Sequence, residues 1–331
     1  MANSRIVSAA FADNIADINN GHSLVFPQVD PIIKDILSRE HMLRDRMKSQ
    51  PEELETFRWV EQTGIARNAA FADPRNIAPT ATDAPTRVEK LAKLKCITSR
   101  IKYSFFDKKL TSNGSFGYVI EKDMRDAIED CLAVSNTAIY NGTDTSYGTP
   151  TTNQYMGLFT AITQTAELKD TTKTLYQQIK TLVAKMASKK FGEARSLPTA
   201  IYMNPMTADI IDTEVDNKDN DFKLYPVQLK PGIMVTGIMT AAGVLPIIRD
   251  PEIPLTANKT DATKYDHKIL ILNEDQIVRH YFTSEGQSFG DPVVFKLGLT
   301  ESLADDYVIF MADNVVVKYG GIAHCCAVYT A

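Results

Sequence analysis

The chain has 331 residues, 44% hydrophobic and 23% charged, which is globular composition and excludes a disordered or fibrous protein. Its formal charge of −5 argues against a basic nucleic-acid or membrane-surface protein. No apolar run approaches the roughly 20 residues of a membrane helix, and the first residues carry no secretory core.

Residues 1–20 are small and polar with sparse apolar anchors, and are expected to form an arm that needs a partner. Asp30 and Pro31 then suit the start of a helix, with Ile32, Ile33, Ile36, Leu37, Leu43 and Met47 as its apolar stripe and Ser49-Gln50-Pro51 as its end. From 57 to 107 the period changes to the alternation of long strands, around a tip rich in prolines at Pro74, Pro79 and Pro85. An isolated hairpin is marginal in water, so this excursion is expected to lie on something, with another chain as the candidate.

Val119–Tyr140 places Ile120, Met124, Ala127, Ile128, Cys131, Leu132 and Ile139 at helical spacing, which predicts a helix about 30 Å long closed by Asn141-Gly142. A second helix is expected over 172–189 and stops near Gly192. A strand follows at Thr199–Met203, then a short helix capped by Asn204-Pro205. Strands are expected at 235–238, 245–248, 268–272, 277–282, 293–299, 315–319 and 322–329. The sum is α+β, with no βαβ alternation and no fixed repeat.

Chemistry finds little support in the spacing. Gly286-Gln287-Ser288-Phe289-Gly290 matches a nucleophile elbow, followed by Asp305, Asp306 or Asp313 and then His324 in hydrolase order. The motif needs a helix directly after the serine, however, and Asp291-Pro292 opens what reads as another strand, so a glycine-rich hairpin is favoured. Asp212, Glu214, Asp216, Asp219 and Asp221 suggest calcium superficially, but Asn217 and Lys223 stand where a calcium loop needs Gly and Glu; a solvated loop is expected. The five histidines show no metal-binding spacing, and His324-Cys325-Cys326 lacks a fourth ligand. Cys96, Cys131, Cys325 and Cys326 are too scattered for a disulfide scaffold and imply a reducing compartment. No cofactor or metal is expected.

Charge asymmetry says more. Arg87, Lys90, Lys93, Lys95, Arg100, Lys102, Lys108 and Lys109 face only Glu89 and Asp107, a net of +6. The long helix carries Glu121, Asp123, Asp126, Glu129 and Asp130 against Lys122 and Arg125, a net of −3. The expectation is that one subunit's excursion, with Trp59, Arg87, Lys90, Lys93, Lys95, Arg100 and Lys102, lies across a neighbour's helix at Glu121, Asp126, Glu129 and Asp130.

An arm, a long β excursion, an acidic helix ending in Asn-Gly, a mixed region and returning strands, in that order, resemble the major capsid proteins of tailed phages with the HK97 fold. The likeness rests on Ala127–Leu132, Ile139–Asp144, Gln154–Ile162, Thr199–Met206 and Gly243–Ile248, and Gly290–Val317 looks like the closing strands of the SU10-type branch. The resemblance implies an N-terminal arm over 1–55 and an E-loop hairpin over 56–110. It also implies a P-domain with its spine helix over 111–160 and 270–331, and an A-domain over 161–269 whose loops meet at symmetry axes. It further implies a virion subunit, built in the host cytoplasm, that assembles with itself as hexamers and pentamers around double-stranded DNA. A separate scaffolding protein and a portal would be partners, with room for decoration proteins, and no membrane would. Two alternatives stay open: a serine hydrolase using Ser288 and His324, and an encapsulin-like nanocompartment shell.

Overall fold

A computed structural model describes residues 42–62, 64, 84–104, 119–188, 197–217, 223–230, 233–261, 263–299 and 304–330. The chain begins there with a turn over 42–47, then strands β1 (Lys48–Glu52), β2 (Thr56–Gln62), β3 (Arg87–Lys93) and β4 (Lys95–Ser104). The long helix α1 (Val119–Asn141) follows, then a single turn α2 (Leu158–Ala161), strand β5 (Thr165–Leu168), helix α3 (Leu175–Ser188), strand β6 (Ala200–Met203) and helix α4 (Pro205–Asp216). Strands β7 (Leu224–Lys230), β8 (Ile233–Thr240), β9 (Gly243–Arg249), β10 (Leu255–Ala257) and β11 (Tyr265–Leu272) precede a 3₁₀ turn over Glu274–Gln276. Strands β12 (Ile277–Ser284), β13 (Gln287–Ser288), β14 (Val293–Leu299), β15 (Ala304–Val317) and β16 (Cys325–Thr330) complete an α+β fold.

Two sheets carry the architecture. In the six-stranded sheet the order is β1-β12-β15-β14, with β4 along the other side of β15 and β13 on β12. The fourteen-residue β15 is its axis, because β4 pairs with residues 304–313 while β14 and β12 share the opposite edge. The eight-stranded sheet runs β5-β16-β11-β6-β9-β8-β7, with β10 on β11. Its inner strands are continuous apolar runs: Ala200, Ile201, Tyr202 and Met203 of β6 are all buried, as a strand covered on both faces requires. Ile201, Met203, Ile269 and Ile271 face α3 and α4, while Tyr202, Leu270 and Leu272 pack with Leu43, Ile139, Tyr155, Leu158 and Val315 in a core shared with the six-stranded sheet.

Helix α1 follows its predicted spacing, with Cys131, Ser135, Ile139 and Tyr140 buried. It stops where Gly142 and Gly157 bring two stretches of backbone together, Gly157 N–H donating to Gly142 C=O. A Cβ on Gly142 would run into the Tyr155 carbonyl oxygen, and one on Gly157 into the Gly142 nitrogen, so both positions require glycine. The Asn204 side chain caps α4 by accepting from Met206 N–H at 3.0 Å, with Pro205 in the first turn, as the sequence implied.

Two expectations are corrected. The helix expected over 30–49 ends in no helix across its described part: residues 42–47 turn and Lys48–Glu52 form β1, parallel to β12. Tertiary packing overrides the helical spacing there, since Leu43 and Met47 enter the shared core and Arg46 donates to both Glu274 oxygens at 2.5 and 2.7 Å. Residues 31–41 lie outside the described residues. The acidic stretch expected as a loop is helical as far as Asp216, with Asp219 and Asp221 outside the described residues. There Glu214 accepts from Leu175 N–H and Tyr176 N–H at 2.7 and 2.9 Å, capping α3, and Asp212 pairs with Arg249 at 2.6 Å. The described base of the long excursion rests on its own chain. Strands β2 and β3 pair in antiparallel register from Thr56↔Lys93 to Gln62↔Arg87 as a separate two-stranded sheet, and β4 belongs to the six-stranded sheet.

Candidate assembly surface

Alternation along β2 sets two faces. Phe57, Trp59 and Glu61 point inward, where Phe57 and Trp59 pack with Ala92, Leu94 and Val316. The Trp59 indole donates to Glu61 Oε1 at 2.9 Å, Glu61 Oε2 pairs with Lys90 Nζ at 2.8 Å, and the indole meets Tyr147 edge-on at 5.7 Å. Outward lie Val60, Val88, Arg87 and an exposed Arg58–Glu89 pair.

Four residues expected at inter-subunit contacts are engaged within the chain. Trp59 is only 8% exposed, seated on the six-stranded sheet. Lys90 is held by Glu61. Lys95 Nζ is buried between Asp144 Oδ2 at 3.0 Å and the Thr152 carbonyl at 2.6 Å. Burial pushes the Asp144 carboxyl up, but Thr151 N–H and Lys95 more than offset it and hold it below the usual carboxylate range. Arg100 clamps Asp306 with Nε at 2.8 and 3.0 Å from its two oxygens, and this pairing holds Asp306 below its ordinary value. Of the three cations only Lys95 is buried, and there a carboxylate of its own chain offsets the cost of burying the charge. Arg87 and Lys102 remain exposed and Lys93 is half-buried.

On α1, Asp126 and Asp130 are exposed and Glu129 half-buried, while Glu121 opens the helix with its side chain outside the described residues. Asp126 stands 4.0 Å from Lys122, and Asp123 accepts from the Tyr103 hydroxyl at 3.1 Å. Beside this face a groove opens between Ile97, Ala133, Val134 and Gln154, with Asp130 among its lining residues. The ion pairs of Lys90, Lys95 and Arg100 go to Glu61, Asp144 and Asp306 and not to this helix.

A buried network gave no local signal in the sequence. Arg44 Nη1 donates to Ser135 Oγ at 2.7 Å and pairs with Asp313 Oδ2 at 3.3 Å, while Nη2 donates to the Gly290 carbonyl at 2.7 Å. Asp313, fully buried, also accepts from the Tyr155 hydroxyl and lies 3.7 Å from Arg279 Nε. Burial raises the Asp313 carboxyl against the pull of Arg44. The network ties the segment around residue 44 to α1, β12 and β15, elements up to 269 residues apart.

The hydrolase constellation is not assembled. Glu285 and Gly286, at φ 50° and 83°, form a turn between β12 and β13, and Ser288 pairs back across it to Thr283. No helix follows the serine: Val293–Leu299 is a strand. His324 is buried with both nitrogens taken, Nδ1 accepting from Asn273 N–H at 3.2 Å and Nε2 donating to the Lys318 carbonyl at 3.1 Å. Burial depresses it to about 4. Among the described residues no group of three His, Cys, Asp or Glu could hold a metal, and no helix is long and apolar enough to cross a membrane.

No protein-family profile and no curated protein matches the sequence. Solved structures do. The capsid of a native GTA particle aligns at TM-score 0.60 and 13% identity over 93% of this chain and 96% of that one. Gordonia phage Cozz gives 0.60 and 14% over 95% and 94%. The SrpI encapsulin complex of Synechococcus elongatus PCC 7942 gives 0.59 and 13% over 92% of each chain. The chain has the HK97 fold. These alignments each cover more than nine-tenths of the chain.

Proposed function

We propose that this chain is a major capsid protein, a structural subunit that assembles with copies of itself into an icosahedral phage-type head around double-stranded DNA. The observation that carries the reading is the end-to-end match to capsid subunits, with little of either chain left over for another activity. The division into arm, E-loop, P-domain and A-domain belongs to this proposal, as do hexamers and pentamers, a separate scaffolding protein, a portal and a place in the virion. So does the docking of one copy's exposed Arg87 and Lys102 and half-buried Lys93 toward a neighbour's Asp126, Glu129 and Asp130, where complementary charge selects register and partner. Weak contacts repeated over a closed shell give stability by multivalency without any one being tight.

Negative-stain images of the concentrated full-length protein, alone and with a scaffolding partner, test this. Closed shells or capsomers are expected, and a protein that stays monomeric in both conditions overturns the proposal. The encapsulin match supports a second reading, a protein-filled compartment. Nuclease-protected DNA inside purified particles favours the head, and a co-purifying enzyme without DNA favours the compartment.

A further inference from the structure

The hairpin base meets the six-stranded sheet at Val316, at Asn314, whose amide donates to the Lys93 carbonyl at 2.6 Å, and at the His280 imidazole. His280 of β12 is buried, opposite Gln50 of β1 on one side and Asn314 of β15 on the other. Its Nδ1 lies 2.8 Å from Glu52 Oε1 of β1, and its ring stacks on Phe57 of β2 with centroids 4.0 Å apart and planes 17° apart. Its Nε2 is buried with no hydrogen-bond partner among the described residues. Segments as far apart as residues 52 and 280 thus converge on a single titratable side chain.

The neutral ring suits this place. With Nδ1–H donating to Glu52, Nε2 is a buried bare acceptor on a ring stacked against Phe57 of the apolar seam. Protonation would place a charged N–H there without an acceptor, which costs more than an unpaired neutral nitrogen. Among the described residues β2 and β3 pair with one another and with neither large sheet, so release of the hairpin would break no sheet ladder and would part the Asn314 amide from the Lys93 carbonyl (2.6 Å) and Gln62 N–H from the Tyr319 hydroxyl (3.4 Å).

We propose that His280 is an acid-sensitive latch that seats the β2–β3 hairpin on the six-stranded sheet when neutral and releases it when protonated. The charged groups around it are few. Glu52 on β1 favours the charged ring, and Lys318 beyond β15 opposes it. On the hairpin, Glu61 is already held by Trp59 and Lys90. On β15, Asp313 is engaged with Arg44. Burial outweighs Glu52 and keeps the imidazole below its ordinary value, which places release below about pH 6.5.

Trp59 is the sole tryptophan and sits on the seated face, so its fluorescence reports release. In dilute, unassembled full-length protein, acidifying from about pH 7.5 to about 4.5 is expected to red-shift Trp59 emission and raise acrylamide quenching about twofold, before the far-UV signal changes. His280→Gln removes this step, and Glu52→Gln moves its midpoint to lower pH. Persistence of the step in His280→Gln, or its coincidence with loss of the far-UV signal, overturns the latch. Should His280→Gln fail to fold, an unmoved midpoint in Glu52→Gln overturns it instead.

Discussion

Arg44 is 5% exposed and bonds Ser135, Asp313 and Gly290 at once, so its removal leaves a buried carboxylate beside Arg279 and Tyr155 without its principal cation. Arg44→Ala is expected to cost about 3–5 kcal/mol in urea unfolding, the range for breaking a buried ion pair from one side. A loss under about 1 kcal/mol would show that Arg279 carries Asp313 alone. His324 makes a pH prediction of opposite character, since it is buried neutral and its folded value of about 4 lies below the unfolded value of about 6.5. A depressed base stabilises the fold fully above about pH 6.5. That contribution, up to about 3 kcal/mol, is lost as pH falls toward 4, where the unfolded chain binds the proton first. Thermal melts between those limits are expected to show a steep acid slope that His324→Gln flattens.

At the scale of elements, the junction after α1 depends on backbone contact between Gly142 and Gly157. Gly157→Ala is expected to lose more than about 2 kcal/mol because main chain must separate. Gly286→Ala, with no atom within 4 Å of its Cβ but φ at 83°, is expected to lose only about 1 kcal/mol. Equal losses in chemical denaturation would refute the distinction between the two positions. Why α1 was legible and much of β15 was not follows from the same chemistry. Apolar residues at helical spacing with carboxylates on the solvent side declare an amphipathic helix without reference to the rest of the chain. Ala304–Asn314 contains Asp305, Asp306 and Asp313, which read as loop until Arg100, Arg44 and Arg279 are seen to neutralise the last two. Strand β1 was illegible for a related reason: its partner β12 lies more than two hundred residues away, and a parallel edge pairing leaves no periodic trace. The candidate surface was half legible. Its acidic helix stands as expected, but alternation could not say that Lys95 would be buried against Asp144 or that Trp59 would seat on its own sheet.

For the whole molecule, the proposed contact between copies is electrostatic at its rim and therefore sensitive to salt and to sign. Reversing Glu129 and Asp130 to Lys is expected to slow or abolish shell formation, followed by light scattering, while the monomer's melting temperature moves by no more than a few degrees. Raising salt should slow wild-type assembly in the same direction. Unchanged assembly in the charge-reversed protein would remove this contact from the shell.

The position of β16 has a temporal consequence. Residues 325–330 lie between β5 and β11, so while the polypeptide is being synthesised β5 waits for a neighbour that emerges about 160 residues later. The ribosome cannot present a finished eight-stranded sheet until almost all of this sequence has been translated. Closure of that sheet therefore waits on its last-made strand, and a chain cut short before residue 325 leaves the edges of β5 and β11 facing each other unpaired.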